Sequence, residues 1–126
     1  MRITLLTPGN ADNKALRDEY ASARAFGTFR VGSRHLFFRA GLKLCAAAYD
    51  GLTRCYRRVM LVPAQLCCGS GDLEIDCLVL EDERKELAQI QMPGRKAAVA
   101  ALECIAKAHP TLQTRCPQKP NKEELA

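Results

Sequence analysis

The chain has 126 residues, of which 48% are hydrophobic and 26% charged, and its formal net charge is +5. This length fits one domain of ordinary size and is too short for a multidomain enzyme. The apolar content is too high for a disordered chain, and no apolar run approaches the roughly 20 residues that span a bilayer. The first residues lack the apolar core of a secretory signal peptide, so we expect a cytoplasmic protein.

The first predicted element is a helix from Asp12 to Arg24. Asp12 is placed to cap it, and apolar residues recur near a period of 3.6 at Ala15, Leu16, Tyr20 and Ala23. We expect residues 1–11 to be an N-terminal extension, residues 12–110 a single domain and residues 111–126 a flexible C-terminal tail.

Extended runs with turn residues between them follow this helix. Alternation of apolar and polar residues predicts strands at Phe26–Val31, Arg34–Arg39, Lys43–Tyr49 and Leu52–Val62. The predicted turns lie at Gly32–Ser33, Gly41 and Asp50–Gly51. Asp-Gly is the strongest hairpin signal, because a type I′ turn needs positive φ at both central positions. Since tight turns join antiparallel strands, these runs predict a four-stranded meander.

The second half of the chain predicts two further strands and a helix. In the first strand an apolar face alternates with acidic residues and consists of Leu73, Ile75, Cys77 and Val79. The second strand covers Glu86–Met92. The clearest helix is Arg95–Ala108, with an apolar stripe at Ala98, Ala101, Leu102 and Ile105. It ends at His109–Pro110, because the residue before a proline is disfavoured in a helix.

A meander, a second hairpin and one apolar-striped helix must bury their apolar faces together. This order resembles the pleckstrin-homology (PH) superfold, and more closely the PH-like domains of small uncharacterised bacterial proteins. The resemblance covers about residues 14–110 and is carried by Phe29-Arg30-Val31-Gly32, Leu36-Phe37-Phe38, Tyr49-Asp50-Gly51-Leu52, Tyr56-Arg57-Arg58-Val59, Cys67-Cys68-Gly69 and the block from Asp76 through Ile90-Gln91-Met92-Pro93-Gly94 to His109-Pro110.

The resemblance implies an α+β fold: a PH-like antiparallel barrel or sandwich of about seven strands, with a C-terminal amphipathic helix and an extra N-terminal helix. It further implies a scaffold that binds phosphoinositides, peptides or partner proteins, without a catalytic centre. Lipid-binding PH domains carry a Lys followed by a Lys/Arg-x-Arg spacing, which Arg30, Arg34 and Arg39 do not reproduce, and this chain has no tryptophan. We therefore carry over the scaffold alone.

The seven cysteines form no C-x-x-C pair of the kind that zinc sites use, and most of them lie inside apolar stretches. We interpret these as reduced, buried thiols. Cys67–Cys68 is the one place where redox or metal chemistry is conceivable, although neighbouring side chains on an extended segment point to opposite faces. We therefore predict no metal site and no cofactor.

Motifs of catalysis are equally scarce. The chain has no G-x-S-x-G, P-loop, G-x-G-x-x-G, H-E-x-x-H or EF-hand pattern. Of its two histidines, His35 lies on a predicted strand and His109 at a helix end, and neither has a nucleophile and an orienting group nearby in sequence. We interpret Glu74, Asp76, Glu81, Asp82 and Glu83 as a solvated strand face and turn. The chain is therefore not expected to be an enzyme.

The charges are unevenly distributed. Residues 24–58 contain eight basic residues against one acidic residue, whereas residues 72–86 contain seven acidic residues against two basic ones. The first predicted sheet is therefore basic and the second hairpin acidic. Arg57 shares a strand face with Cys55 and Val59, so it either pairs with an acid near an end of the core or is turned outward by a bulge.

These patterns favour a non-catalytic module that binds an acidic protein partner, or an anionic ligand such as a phospholipid headgroup, through a basic sheet face. The candidate residues are Arg30, Arg34, Arg39, Lys43, Arg54, Arg57 and Arg58. One alternative is a nucleic-acid-binding domain using Tyr56, Phe37 and Phe38, which the acidic hairpin disfavours. The other is an enzyme with Cys67 or Cys68 as nucleophile. Oppositely charged patches on one molecule also allow a homo-oligomer.

Overall fold

The computed structural model describes residues 2–9, 12–63 and 72–114, which form two β-sheets and two α-helices. In chain order the elements are β1 (Ile3–Leu5), α1 (Asn13–Ser22), β2 (Arg24–Phe26), β3 (Phe29–Val31), β4 (His35–Ala40), β5 (Lys43–Ala48), a 3₁₀ turn (Tyr49–Gly51), β6 (Arg54–Pro63), β7 (Asp72–Glu81), β8 (Glu86–Gln91) and α2 (Arg95–Ala108). Neither helix has the length and apolar character needed to cross a membrane.

The first sheet has five strands in the order β1-β5-β4-β3-β2. Strands β2 to β5 form an antiparallel meander, whereas β1 pairs in parallel with β5 and places Ile3 beside Leu44. The N-terminal segment, which we expected to lie outside the domain, thus contributes a strand to this sheet.

The second sheet is an antiparallel meander in the order β6-β7-β8. β6 and β7 pair along ten residues each, from Arg54 with Glu81 to Pro63 with Asp72. β8 pairs only with the second half of β7, from Cys77 to Glu81. The architecture is α+β, and the two sheets of the described residues form a sandwich-like arrangement that does not close into a barrel.

The main core lies between the two sheets and α2. The first sheet contributes fully buried aromatic and aliphatic side chains, the second sheet two leucines, and α2 a stripe of small and branched residues: Phe29, Leu36, Phe38, Leu78, Leu80, Ala98, Ala101 and Ile105. The prediction of a helix over Arg95–Ala108 is confirmed. It could be made from the sequence because the apolar period lies within the helix and His109–Pro110 directly follows it.

A second, smaller core lies under α1 on the opposite face of the first sheet. Leu16 of α1 packs with Ile3, Phe37, Leu44 and Ala46. Successive strand residues point to opposite faces, so Phe37 is directed towards α1 while its neighbours enter the main core. The first sheet is therefore buried on both faces.

The Asp50–Gly51 prediction was wrong. These residues belong to the 3₁₀ turn and neither has a positive φ, so the type I′ turn does not form. The turn carries the chain from the first sheet into the second, and the fourth predicted run becomes β6 instead of completing the first meander. Tertiary contacts select this geometry: the Tyr49 hydroxyl donates a 2.7 Å hydrogen bond to the Gly32 carbonyl. A Cβ on Gly51 would lie only 2.6 Å from the Thr7 Cβ.

Two further turns differ from the prediction. Gly27 has φ of +68° and reverses the chain between β2 and β3, so the run from Phe26 is a short hairpin and not one strand. At the next reversal the Gly32 N–H donates to the His35 carbonyl at 2.9 Å, which places the turn at Ser33 and Arg34, one residue later than predicted. The reversal at Gly41, with φ of +66°, lies where it was expected.

The predicted core face of β7 was also wrong. Leu78 and Leu80 enter the main core, and they share the strand face of Asp76. Cys77 and Val79 are buried on the other face. Both faces of β7 are covered here, so the four consecutive residues from Cys77 to Leu80 are all apolar. Without alternating polar residues, the sequence does not indicate which face points into the main core.

Candidate interaction surface

The seven basic residues predicted to form a binding face lie on two different sheets. Arg30 belongs to the first sheet and supports α1: its guanidinium donates a 2.9 Å hydrogen bond to the Tyr20 carbonyl and lies 4.1 Å from the centre of the Tyr20 ring. Arg34, Arg39 and Lys43 are exposed at the turns and strand ends of that sheet. Of the predicted binding residues on the first sheet, these three therefore present open charge, whereas Arg30 does not.

The other three arginines lie on β6, where acidic residues of β7 and β8 face them. Arg57 pairs with Asp76 at 2.5 Å, and Arg58 pairs with Glu86 at 3.0 Å. Of the two alternatives for Arg57, the structure shows the first, in which Arg57 pairs with an acid. The arginines of β6 and the acidic residues of β7 and β8 therefore neutralise each other within the second sheet.

Arg54 and Arg58 also take part in polar networks. Arg58 donates to the Tyr56 hydroxyl and to Gln89 Oε1, both at 2.8 Å. Burial, together with the hydrogen bond donated by its hydroxyl to Glu81, raises the pKa of Tyr56. Arg54 lies 3.7 Å from Glu81 and donates to Gln113 Oε1. An acidic partner would have to displace these internal partners to reach the β6 arginines.

The first residues of β7 and the last residues of β6 extend beyond β8. Val59–Pro63 pair with residues 72–76, and β8 ends beside Cys77. We call this two-stranded part the ribbon; at about 3.3 Å per residue its length is roughly 16 Å. It exposes large apolar side chains to solvent, with exposed fractions of 40% for Val59, 37% for Met60, 63% for Leu61 and 45% for Leu73.

The ribbon was missed in the sequence analysis, although its signal is present. Val59-Met60-Leu61-Val62 is apolar without alternation, which is typical of a strand covered on both faces. In the structure this apolar run lies on β6, an edge strand that extends with β7 beyond the end of β8. Natural edge strands are usually short or guarded by charge, so a long apolar edge marks a contact surface.

A separate polar site joins α1 to the first sheet. Glu19 Oε1 lies 2.8 Å from His35 Nδ1, and Glu19 Oε2 accepts the backbone N–H groups of Arg34 and His35 at 2.9 and 2.7 Å. A cavity of about 310 Å³ adjoins this pair and is lined by residues of α1 and β4, with Pro8 and Leu5 from the N-terminal segment. Among the described residues, no side chain forms a hydrogen bond with His35 Nε2.

The second histidine is equally structural in its contacts. The His109 ring lies 4.4 Å from the ring of Tyr49, at the C-terminal end of α2. Tyr49 is 2% exposed, and burial raises its pKa. Stacking therefore fastens the end of α2 to the turn between the sheets.

The described cysteines lie in apolar surroundings. Cys45, Cys55 and Cys77 are buried, and burial raises the pKa of each thiol, to about 12 for Cys55. Cys104 is partly buried. The Cys67–Cys68 pair, the candidate nucleophile of the enzyme alternative, lies outside the described residues.

The described residues contain no cluster of three or more His, Cys, Asp or Glu side chains that could hold a metal ion. The acidic loop has a local role: Asp82 accepts the backbone N–H groups of Arg84 and Lys85, both at 2.7 Å, and these bonds lower the pKa of its carboxyl.

Comparison with known proteins gives no relative for this arrangement. No family model matches the chain, and neither a curated protein nor a solved structure matches it. Function is therefore inferred from the geometry of the molecule itself.

Proposed function

We propose that this chain is a non-catalytic protein-interaction module on a PH-like scaffold, and that the ribbon is its contact surface. The order of elements supports the scaffold, because a four-stranded meander, a three-stranded meander and a closing α2 helix follow one another along the chain. The exposure of Val59, Met60, Leu61 and Leu73 on one projecting element carries the proposal.

The apolar character of the ribbon favours a protein partner. Burying such side chains removes apolar area from water at about 25 cal/mol per Å², whereas exposed charge pairs contribute little. The nearby charges are already satisfied, since Arg57 is paired with Asp76 and Arg58 with Glu86. A partner therefore covers the ribbon without leaving an unpaired arginine.

In the same proposal, the basic residues that attract an acidic partner or an anionic ligand are Arg34, Arg39 and Lys43. These residues are exposed and have no ion pair among the described residues. In this proposal they steer association, which raises the association rate more than the affinity.

The test is quantitative affinity capture from cell extract with the full chain and two variants. Leu61→Glu places a charge on the ribbon, and Leu42→Glu makes the same change at a leucine that is 98% exposed on the β4–β5 turn. We expect proteins that are recovered with the wild type and with Leu42→Glu to be depleted several-fold with Leu61→Glu. Equal recovery with both variants would reject the ribbon as the contact surface.

A further inference from the structure

We propose that the partner of the ribbon is a second copy of this chain, joined through the free edge of β6 about a twofold axis at Val59. This inference rests on the proposed function, because it names the partner of the same surface. It follows from the direction of backbone groups along β6, from where the free edge begins and ends, and from the charges that each register would bring together.

One edge of β6 is occupied by β7, and within residues 2–9, 12–63 and 72–114 the other edge is bonded only at its beginning. The Cys55 N–H points away from β7 and donates to the Gln113 carbonyl at 2.8 Å, next to the parallel bridge of Arg54 with Gln113. Backbone groups alternate in direction along a strand. The N–H and C=O groups of Arg57, Val59 and Leu61 therefore point away from β7 as well, and no described residue bonds to them.

The two ends of this row of unpaired backbone groups on β6 define its centre. At one end Cys55 is already bonded to Gln113, and at the other Pro63 has no N–H to donate. The remaining positions are symmetrical about Val59. A twofold axis there pairs Val59 with Val59 of the second copy and Arg57 with Leu61 of the second copy, so that every free donor meets a free acceptor in about six hydrogen bonds.

The charges favour this register over its neighbours. With the axis at Val59, Arg57 faces Leu61 and Arg58 faces Met60, so no two arginines lie opposite each other. An axis two residues earlier would place Arg57 against Arg57, and like charges directly opposite are destabilising. An axis two residues later would place Pro63 in the ladder and lose hydrogen bonds. Moving the axis by one residue, to Arg58, would place Arg58 against Arg58, and moving it to Met60 would bring Pro63, which has no N–H, opposite Arg57.

The other edge of the ribbon is less suited to self-pairing. Its residues are those of β7 beyond β8, where Glu74 is exposed and Asp76 is paired with Arg57. Acidic side chains on an edge oppose pairing with an identical acidic edge. The β6 edge instead exposes Val59, Met60 and Leu61, whose side chains would lie beside those of the second copy in the six-stranded sheet of the dimer.

The test is the mass of the full chain in solution, measured by light scattering from low to high micromolar concentration. We expect wild type and the control Leu42→Lys to have twice the mass of one chain. Val59→Pro and Leu61→Lys should both have the mass of one chain. Val59→Pro removes an N–H that the monomer does not use, and circular dichroism checks that each variant is folded. Dimerisation retained by both folded ribbon variants would overturn the inference.

A second measurement does not depend on those variants. Residues facing each other across an antiparallel hydrogen-bonded pair have Cα atoms about 5.5 Å apart, which is within disulfide range. Val59→Cys should therefore form a covalent dimer on mild oxidation, well above the background of the native cysteines, and Leu42→Cys should not. Equal cross-linking of both variants would contradict an axis at Val59.

The two proposals fail separately. A wild-type chain that stays monomeric, while Leu61→Glu still loses captured proteins, rejects the second copy and supports a heterologous partner for the ribbon. A monomeric chain whose captured proteins are unaffected by Leu61→Glu rejects both.

Discussion

Glu19 of α1 and His35 of β4 are joined by a 2.8 Å contact between Oε1 and Nδ1, and the same carboxylate accepts two backbone N–H groups of the β3–β4 turn. One side chain thus satisfies three donors and fastens α1 to the first sheet. The two residues are 16 apart in sequence, so this is a tertiary contact between α1 and the first sheet.

Replacing Glu19 with Ala should destabilise the fold by about 2–3 kcal/mol, since partly buried donors lose their acceptor. Glu19→Gln keeps one acceptor oxygen and should cost less. Urea unfolding followed by circular dichroism measures both. Asp18→Ala, on the exposed side of α1, is the control and should change the free energy of unfolding little. A Glu19→Ala value as small as that of the control would contradict this role.

Gly32→Ala should also destabilise the protein, and by a steric route. An added Cβ would lie 2.4 Å from Glu19 Oε2 and 2.9 Å from the His35 carbonyl oxygen, so backbone must shift. We expect a loss of about 1–3 kcal/mol. Gly94→Ser is the control, because nothing lies within 4 Å of its Cβ position and serine suits a helix N-cap. If thermal unfolding shows both variants at the wild-type midpoint, the packing at Gly32 is looser than described.

The Arg57–Asp76 pair should show measurable coupling. Its side chains are 29% and 11% exposed, so solvent screening limits the expected interaction to about 1 kcal/mol. A double-mutant cycle of Arg57→Ala, Asp76→Ala and the double variant in guanidinium unfolding isolates that coupling. Arg39→Ala with Asp76→Ala serves as the unpaired cycle and should give none. Additive effects of Arg57→Ala and Asp76→Ala would show that the pair contributes no coupling energy.

Stability should fall as the pH rises from about 9 to 12. Burial raises the pKa of Cys55 from 9.0 to about 12. In this window the unfolded chain loses the thiol proton while the folded chain keeps it, so deprotonation favours unfolding. Below pH 9 both states hold the proton, and the effect is absent. Cys55→Ala should make the pH dependence shallower between about pH 9 and 12, measured as urea midpoints. An unchanged dependence would show that Cys55 is not the titrating group.

The sequence predicted those secondary-structure elements that are determined by residues close together in the chain. Both predicted bounds of α2 match the structure, because the apolar stripe lies within the helix and the proline that ends it follows two residues later. For Arg57 the sequence left two alternatives, an acidic partner or a bulge, because an arginine on an apolar face requires one or the other, and the structure shows the partner Asp76.

Contacts between distant segments decided the rest. Asp50–Gly51 lacks its hairpin because Tyr49 is held by Gly32 and because Gly51 lies against Thr7, neither of which is a sequence neighbour. The ribbon escaped prediction for a related reason. Only the register of β6 with β7, and the early end of β8, reveal that Val59 to Leu61 lie beyond the core.

The parallel pairing of β1 with β5 has a consequence for how the chain folds. With β1 and α1 in place, the first 48 residues contain a complete sheet and a core of their own, which includes Leu16, Phe37 and Leu44. Most contacts in this unit are close in sequence, and such contacts form early. During synthesis the N-terminal half is therefore ready to assemble on emerging from the ribosome, and the second sheet docks onto a template already formed.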